Sequence, residues 1–395
     1  MTPIAALGGG ILHALRLSFG MTWEILWALI LGFALSAVVQ SVVSKAEMTR
    51  LLPDDRPRTL VIACGLGAAS SSCSYAAVAL ARSLFRKGAN FTAAMAFEIA
   101  STNLVIELGI ILALLIGWQF TLAEFVGGPI MVVLLAVVFR TFLRPPLLDL
   151  AKRQAEKALR GQMEGHAAMD MSVSGGSIWS RITSARGFTA ISHSFVMEWA
   201  AIIRDVVIGL LIAGALAAWV PNSFWQGFFL VHHPVLAKLW GPLVGPVVSM
   251  LSFVCSIGNV PLAAVLWNGG ISFGGVIAFI FADLIILPIL NIYRKYYGAR
   301  MSLFLLATFA ATMAVAGYVV EIVFGVLHLV PTGPRHAKVL ESTVHLNYTS
   351  VLNIVFLVVA AVLVVRFLRT GGPAMLKQMD DPNAGEHGHE HHHGS

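Results

Sequence analysis

Two stretches of this chain, 182 positions apart, carry a Cys-Ser break inside otherwise apolar sequence: SSSCSYAAVALARSLFRKGANF from Ser70, and SFVCSIGNVPLAAVLWNGGISF from Ser252. Where a helix breaks in lipid, the freed N–H and C=O groups cost several kcal/mol each unless they line a cavity or find partners. Ser70, Ser71, Ser72 and Ser74 in the first copy, with Ser256 and Asn259 in the second, can bond either that freed backbone or a bound solute. The half-helix N-terminus that follows offers a partial positive charge. Both readings stay open, and these residues are the candidate substrate contacts. Cys73 and Cys255 occupy the same repeat position. They are either small buried hydrophobes or a facing pair of soft sulfur ligands for a thiophilic metal or metalloid species. Cys64 has no repeat mate and reads as packing.

Acidic side chains follow each break. Glu98, Ser101, Thr102, Asn103 and Glu107 lie in the apolar run after the first, and Asp283 takes the place of Ser101 in the second. Ionisable groups at membrane depth are costly and normally functional. Glu98 and Asp283 are therefore candidate coupling residues, as proton acceptors or cation ligands, and Asn103 is a further substrate contact. The competing reading is a hydrogen-bonded pair with helix-packing duty. Glu321 is a weaker candidate deep in its span, and Glu198, Arg204 and Asp205 read as an interfacial ion pair.

The elements that position these groups are duplicated. Residues 70–108 and 252–290 align without a gap and share 13 of 39 positions, among them Ser74/Ser256, Gly88/Gly270 and Phe97/Phe279, where chance gives roughly 4. Upstream, WALILGFALSAVVQSVV from Trp27 compares with RDVVIGLLIAGALAAWV from Arg204, with Gly32 facing Gly209. Paired interrupted segments in two halves of a membrane protein point to a transporter's binding site.

Composition sets the class. Hydrophobic residues make up 57% of 395, charged residues 12%, and the mean hydropathy is +0.81, outside the balance of a soluble domain. Runs at 22–43, 91–116, 121–142, 201–220, 273–293, 301–327 and 349–367 each approach the length needed to cross a bilayer. Runs at 60–85 and 240–267 are as long but interrupted. The net charge of +6 comes from cations clustered at span ends, which topology explains without nucleic acid. Three cysteines with no CxxC spacing argue against a disulfide framework or structural zinc. The N-terminal segment lacks the charged start of a cleaved signal and reads as the lead-in to the first span.

Charge also bears on how the interrupted elements run: if both cross, each copy has four spans, the copies are parallel and the cations split about 14 inside to 11 outside, a poor topology. If each is a re-entrant hairpin entering and leaving on one side, each copy has three crossings and the copies are inverted. With the linker in the cytoplasm, 21 Lys and Arg then lie inside and only Arg16, Lys238, Arg335 and Lys338 outside, Arg204 being intramembrane. That asymmetry is what the positive-inside rule requires. The expected fold is thus an all-α polytopic membrane protein of two inverted repeats, each one span, a re-entrant hairpin and two spans, plus an extra C-terminal span. Its parts are a first repeat at 1–143, a cytoplasmic linker at 144–196, a second repeat at 197–328, an extracytoplasmic loop at 329–348, the extra span at 349–369 and a His-rich tail at 370–395. That tail places five of 13 histidines within seven residues, a composition that binds divalent metal and stands apart from the site.

At the Cys-Ser elements, through SSSCSYAAVALARSLFRKGANFTAAMAFEIASTN from Ser70 and VCSIGNVPLAAVLWNGGISFGGVIAFIFADLIILP from Val254, the chain resembles the ArsP-type predicted permease family, which includes organoarsenical efflux permeases. The resemblance covers residues 23–327. Family members carry a Cys-Ser-Cys run followed by Pro in the first element; here the stretch reads Ser72-Cys73-Ser74, and Ala79 stands where the second copy has Pro261. The resemblance implies efflux of a small soft solute, a trivalent organoarsenical or a metal or metalloid species, by a multi-pass protein of the bacterial inner membrane. The partners expected are the lipid bilayer, the substrate and a proton or cation as coupling ion, with no nucleic acid and no cofactor. A channel or partner-energised permease subunit is the alternative. No GxxxxGK[ST] run and no HExxH pattern occur, so neither ATP binding in this chain nor a zinc enzyme is expected. A topology reporter fused after Tyr297 is expected to read cytoplasm; a periplasmic signal there would rule out the inverted arrangement.

Overall fold

The computed structural model describes residues 3–42, 49–71, 74–155, 173, 178–252, 256–333, 335, 337 and 348–375, among which every regular element is helical. The first copy comprises α1 (Pro3–Val42), α2 (Pro57–Ser70), α3 (Ser74–Arg86), α4 (Phe91–Asn103), α5 (Ile106–Leu115) and α6 (Trp118–Phe142). Two short helices, α7 (Pro145–Ala155) and α8 (Ile178–Thr183), lie between the copies. The second copy comprises α9 (Ala185–Trp219), α10 (Asn222–Phe228), α11 (Pro234–Ser252), α12 (Ser256–Gly269), α13 (Phe273–Phe281) with a 3-10 turn at Ala282–Ile285, α14 (Leu287–Tyr297) and α15 (Ala299–Val326). A final helix, α16 (Tyr348–Arg369), follows. Five helices are long and apolar enough to cross a membrane, or up to seven if each of two bent pairs is one span. Pro234–Ser252 is among the five, although the sequence reads as half of an interrupted element. The stretch read as the end of the linker holds the first turns of α9, which starts at Ala185.

Local chemistry repeats with the sequence. Gly88 and Gly270, 182 positions apart, both adopt the left-handed region, at φ 106 and 109, where a Cβ would be strained. They turn the chain from α3 into α4 and from α12 into α13. The next helices start on side-chain caps: Asn90 accepts from the amides of Thr92 and Ala93, and Ser272 from that of Gly275, satisfying helix-end donors. Ser71 closes α2 with φ 38, its amide bonded to the Gly67 carbonyl.

The interrupted elements fold back. The Asn90 amide donates to the Leu52 carbonyl at 2.8 Å, so the chain returns through α2 and α3 to the end it left. α2 lies along α4 so closely that a Cβ on Gly67 would sit 2.4 Å from the Phe97 carbonyl oxygen. α11 lies along α13 in the same way, with a Cβ on Gly245 falling 2.5 Å from the Gly275 oxygen. Small residues at helix crossings allow this approach in membrane proteins.

Aromatic contacts fix the direction of the long helices. At one end of α6, Phe120 meets Trp267 and Phe273 at 5.0 and 4.7 Å, and Phe273 meets Phe324 of α15 at 5.3 Å. At its other end, Phe139 meets Phe91 at 5.8 Å and Phe304 of α15 at 5.5 Å. α6 and α15 therefore run antiparallel. The bases of the two folded-back elements lie at opposite ends of α6, about 28 Å apart at 1.5 Å per residue.

α16, which has no counterpart in the first copy, acts on α1. The Asn353 carboxamide accepts from the Trp27 amide at 2.9 Å and donates to the Trp23 carbonyl at 2.7 Å. Those two groups would bond each other in a regular helix. Insertion of a side chain into that ladder is a recognised cause of kinks, and α1 bends by 45° between Gly10–Gly20 and Ile25–Leu35. Gly245→Val is expected to splay α11 from α13 and destabilise the protein by about 1–3 kcal/mol, read as a lowered unfolding midpoint of the purified protein in detergent.

Candidate functional site

The two tips meet. The hydroxyls of Ser74 and Ser256, equivalent positions at the starts of α3 and α12, lie 3.2 Å apart. Each donates to Oδ2 of Asp283 at 2.5 Å. These are equivalent positions of the two copies, so Asp283 joins the starts of both helices in the buried interior. Its side chain is held by a second discontinuity. α13 tightens into the 3-10 turn, Ile286 is extended at φ −62 and ψ 149, and α14 restarts with Pro288 in its first turn, where a missing N–H costs nothing. The first copy breaks at the matching place, between Leu104 and an extended Val105.

A second link crosses between the copies in the opposite sense. Tyr293 of α14 donates to Glu98 Oε1 of α4, and both side chains are fully buried. Glu98 also lies within electrostatic reach of Asp283. Asn103 stands beside Asp283 as well, with its amide nitrogen on Thr102 Oγ1 at 3.1 Å. Three acceptor atoms here, Glu98 Oε2, Asp283 Oδ1 and Asn103 Oδ1, have no hydrogen-bond partner among the described residues.

Other sequence-predicted residues serve the break itself. Ser70 donates to the Gly67 carbonyl at 2.9 Å, and Ser71 to Glu107 Oε1. Asn259 turns back onto α11, donating to Ser249 Oγ at 3.0 Å and accepting from Ser252 at 3.4 Å; it ties the two arms of its own element. Glu321 stands in the last two turns of α15. It accepts from the Gly274 amide at 2.6 Å and lies 3.8 Å from Lys238, so it anchors the N-terminus of α13, where a carboxylate is favoured by the helix dipole. Cys64 is partly buried against the core. Ser72, Cys73, Cys255 and residues 376–395 of the histidine-rich tail lie outside the described residues, as do the side chains of Glu198, Arg204 and Asp205.

The centre is acidic. Among the described residues the ion pairs are Arg56–Asp54, Arg140–Asp55 and Lys238–Glu321, and none involves Glu98, Glu107 or Asp283. Among them, too, no three His, Cys, Asp or Glu side chains are grouped to hold a metal ion. As an anion Asp283 accepts two hydroxyl hydrogen bonds from the two copies; once protonated it loses much of that hold.

A sequence profile described as a predicted permease matches residues 11–322. The chain belongs to this ArsP-type permease family. It is 68% identical over 386 residues to Rv2963 of Mycobacterium tuberculosis, a protein named as a permease, with 98% of this chain and 95% of that one covered. No solved structure gives a significant match. The permease is thus a multi-pass membrane protein whose family speaks for transport.

Three polar groups of the permease's core escape sequence reasoning. Tyr293 looks like an ordinary aromatic near a span end, and Ser249 like a small packing residue. Glu124 of α6, fully buried with neither oxygen hydrogen-bonded among the described residues, falls close to the start of its apolar run, where an acid reads as facing water. The available signal was an acid within an otherwise apolar helix. Tyr293→Phe is expected to cost about 1–3 kcal/mol by leaving Glu98 without its donor. Chemical unfolding of the purified permease measures this, and Glu98→Gln added to Tyr293→Phe should recover part of the loss.

Proposed function

We propose that this permease is a secondary-active exporter of the bacterial inner membrane. Its cargo is a small soft solute, a trivalent organoarsenical or a related metal or metalloid species, moved by alternating access of two inverted repeats. The observation that carries the reading is the joint of Ser74, Ser256 and Asp283: two equivalent tips meet on one ionisable group. The antiparallel course of α6 and α15, and folded-back bases at opposite ends of α6, support re-entrant hairpins entering from opposite faces, with the N-terminus outside and the C-terminus inside. Substrate contacts come from Ser70, Ser71, Ser72, Cys73 and Ser74 on one tip, Cys255, Ser256 and Asn259 on the other, and Asn103 between them. Glu98 and Asp283 couple transport to the proton gradient, each holding a side chain of the opposite copy. An acidic centre with no basic partner among the described residues favours neutral or cationic cargo over anions, since like charges in a low dielectric repel strongly.

Reconstituted into proteoliposomes, the permease is expected to move methylarsenite faster when an opposing proton gradient is imposed. Asp283→Asn should slow that transport at least tenfold, about 1.4 kcal/mol of barrier. Flux in the wild type that ignores the gradient would favour a passive channel or a partner-energised subunit.

A further inference from the structure

Glu124 is the buried acid that the joint does not use. It lies on the core face of α6 with Phe120, Gly127, Gly128 and Met131, and it is within electrostatic reach of Asp283. The titratable or charged groups on the elements around it are Glu98 on α4, Glu107 on α5, Asp283 after α13, and Arg300, Tyr318 and Glu321 on α15. Glu107 is taken by Ser71, Glu321 by Gly274 and Lys238, and Tyr318 by the Leu239 carbonyl. Arg300 stands at the far end of α15. Arg335, near the second base, stacks on Trp267 at 4.2 Å and donates to the Trp267 and Ile271 carbonyls. No cation is thus paired with Glu124 among the described residues. An ionised carboxyl without donors in such surroundings is far costlier than the neutral acid.

Its level in the bundle is informative. Phe120 shares a level with Phe273. From there Glu124 is four residues along α6, about 6 Å, and Asp283 is ten residues along from Phe273, about 15 Å. Glu98 is seven residues, about 10 Å, from Phe91, which shares a level with Phe139 at the other end of α6. The order from the second base is Glu124, then Asp283, then Glu98, and Asp283 is within electrostatic reach of both its neighbours.

We propose that these three carboxyls form one proton path, with Glu124 exchanging protons with water at the end of the bundle where Trp267 and Phe273 lie, and Asp283 as the node that opens the joint. The two lie about 9 Å apart along the bundle, so the proton passes through water between them: the O–H bond of Glu124 breaks, each water gives up one proton as it takes one, and an O–H bond forms on Asp283 Oδ1, which has no hydrogen-bond partner among the described residues. The negative charge moves from Asp283 to Glu124, which regains a proton from water at that end. Neutral Asp283 holds Ser74 and Ser256 less strongly, and the tips part. Asp283 then gives its proton to Glu98 Oε2, which has no hydrogen-bond partner among the described residues, and Glu98 passes it to water at the end where Phe91 lies, the hydroxyl of Tyr293 stabilising the carboxylate that remains. This path rests on the proton-coupled reading given above.

Infrared spectra of the purified permease in lipid at neutral pH, compared in H2O and D2O, read the proton without any cargo. The wild type should show a buried protonated carboxyl band that Glu124→Gln lacks and Glu124→Asp retains; a spectrum unchanged in Glu124→Gln overturns the proposal. In proteoliposomes with methylarsenite, Glu124→Gln should cut gradient-driven transport at least tenfold while methylarsenite self-exchange without a gradient falls no more than about threefold. Loss of both, in a variant that unfolds at the wild-type temperature, would give Glu124 a substrate or structural role and overturn the path. Gradient coupling that survives Glu124→Gln overturns the path alone, whereas a wild type indifferent to the gradient overturns the coupling reading and the path with it.

Discussion

A helix that turns back inside an apolar bundle leaves backbone groups at its tip that lipid cannot satisfy, and here there are two such tips. Bringing both to one place lets a single carboxylate hold a hydroxyl from each. Asp283 accepts from Ser74 and Ser256, and it sits where α3 and α12 both begin, so two helix N-termini favour its charge together. Hydrogen bonds to a charged group are worth about 1.5–3 kcal/mol each, and the two here bind different halves of the chain. The outgoing arms are closed by their own hydroxyls: Ser70 on the Gly67 carbonyl, and Ser252 on that of Ser249. Ser74 of the first copy finds its acceptor only in the second.

That joint dictates the packing around it. For the tips to reach the centre, their arms must lie against the following helices with nothing between, which is why Gly67, Gly245 and Gly275 stand at those crossings. The bases are sealed by aromatic rings, and each holds an arginine. Arg82 lies 4.5 Å over Tyr296 and bonds the Ala155 carbonyl at the end of α7, while Arg335 covers Trp267 at the opposite end. Cation–π contacts of this kind strengthen when desolvated, so each base is tied by an arginine that bridges separate elements.

What the sequence made legible follows from symmetry. Any feature that both copies need is written twice: Gly88 with Gly270 for the turns, Asn90 with Ser272 for the caps, Ser74 with Ser256 for the joint. An internal alignment finds these without a structure. Features written once left no such trace. Tyr293 pairs with Glu98 across 195 positions, and nothing in its neighbourhood marks it as other than a span-end aromatic. Asn353 acts on α1 from a helix that belongs to neither copy. The breaks after Asn103 and before Leu287 were hidden because the runs around them stay apolar; only Pro288 hinted at one of them. Glu124 was missed because distance from the start of an apolar run is a poor measure of depth once neighbouring helices cover it.

The departures from symmetry carry the chemistry. In the second copy, Glu98 is replaced by Ile280, and Ser101 becomes Asp283. Glu98 and Asp283 thus stand at different repeat positions, and each is turned toward a hydroxyl of the other copy: Glu98 toward Tyr293, Asp283 toward Ser74. Two acids held close together would resist joint ionisation, as like charges in a poorly screened site do. Offset by three residues, about 4.5 Å along a helix, they stand at different depths and can hold charge in turn. Displacing one acid makes the two halves of the centre chemically inequivalent, since Glu98 meets a phenol where Asp283 meets two serine hydroxyls.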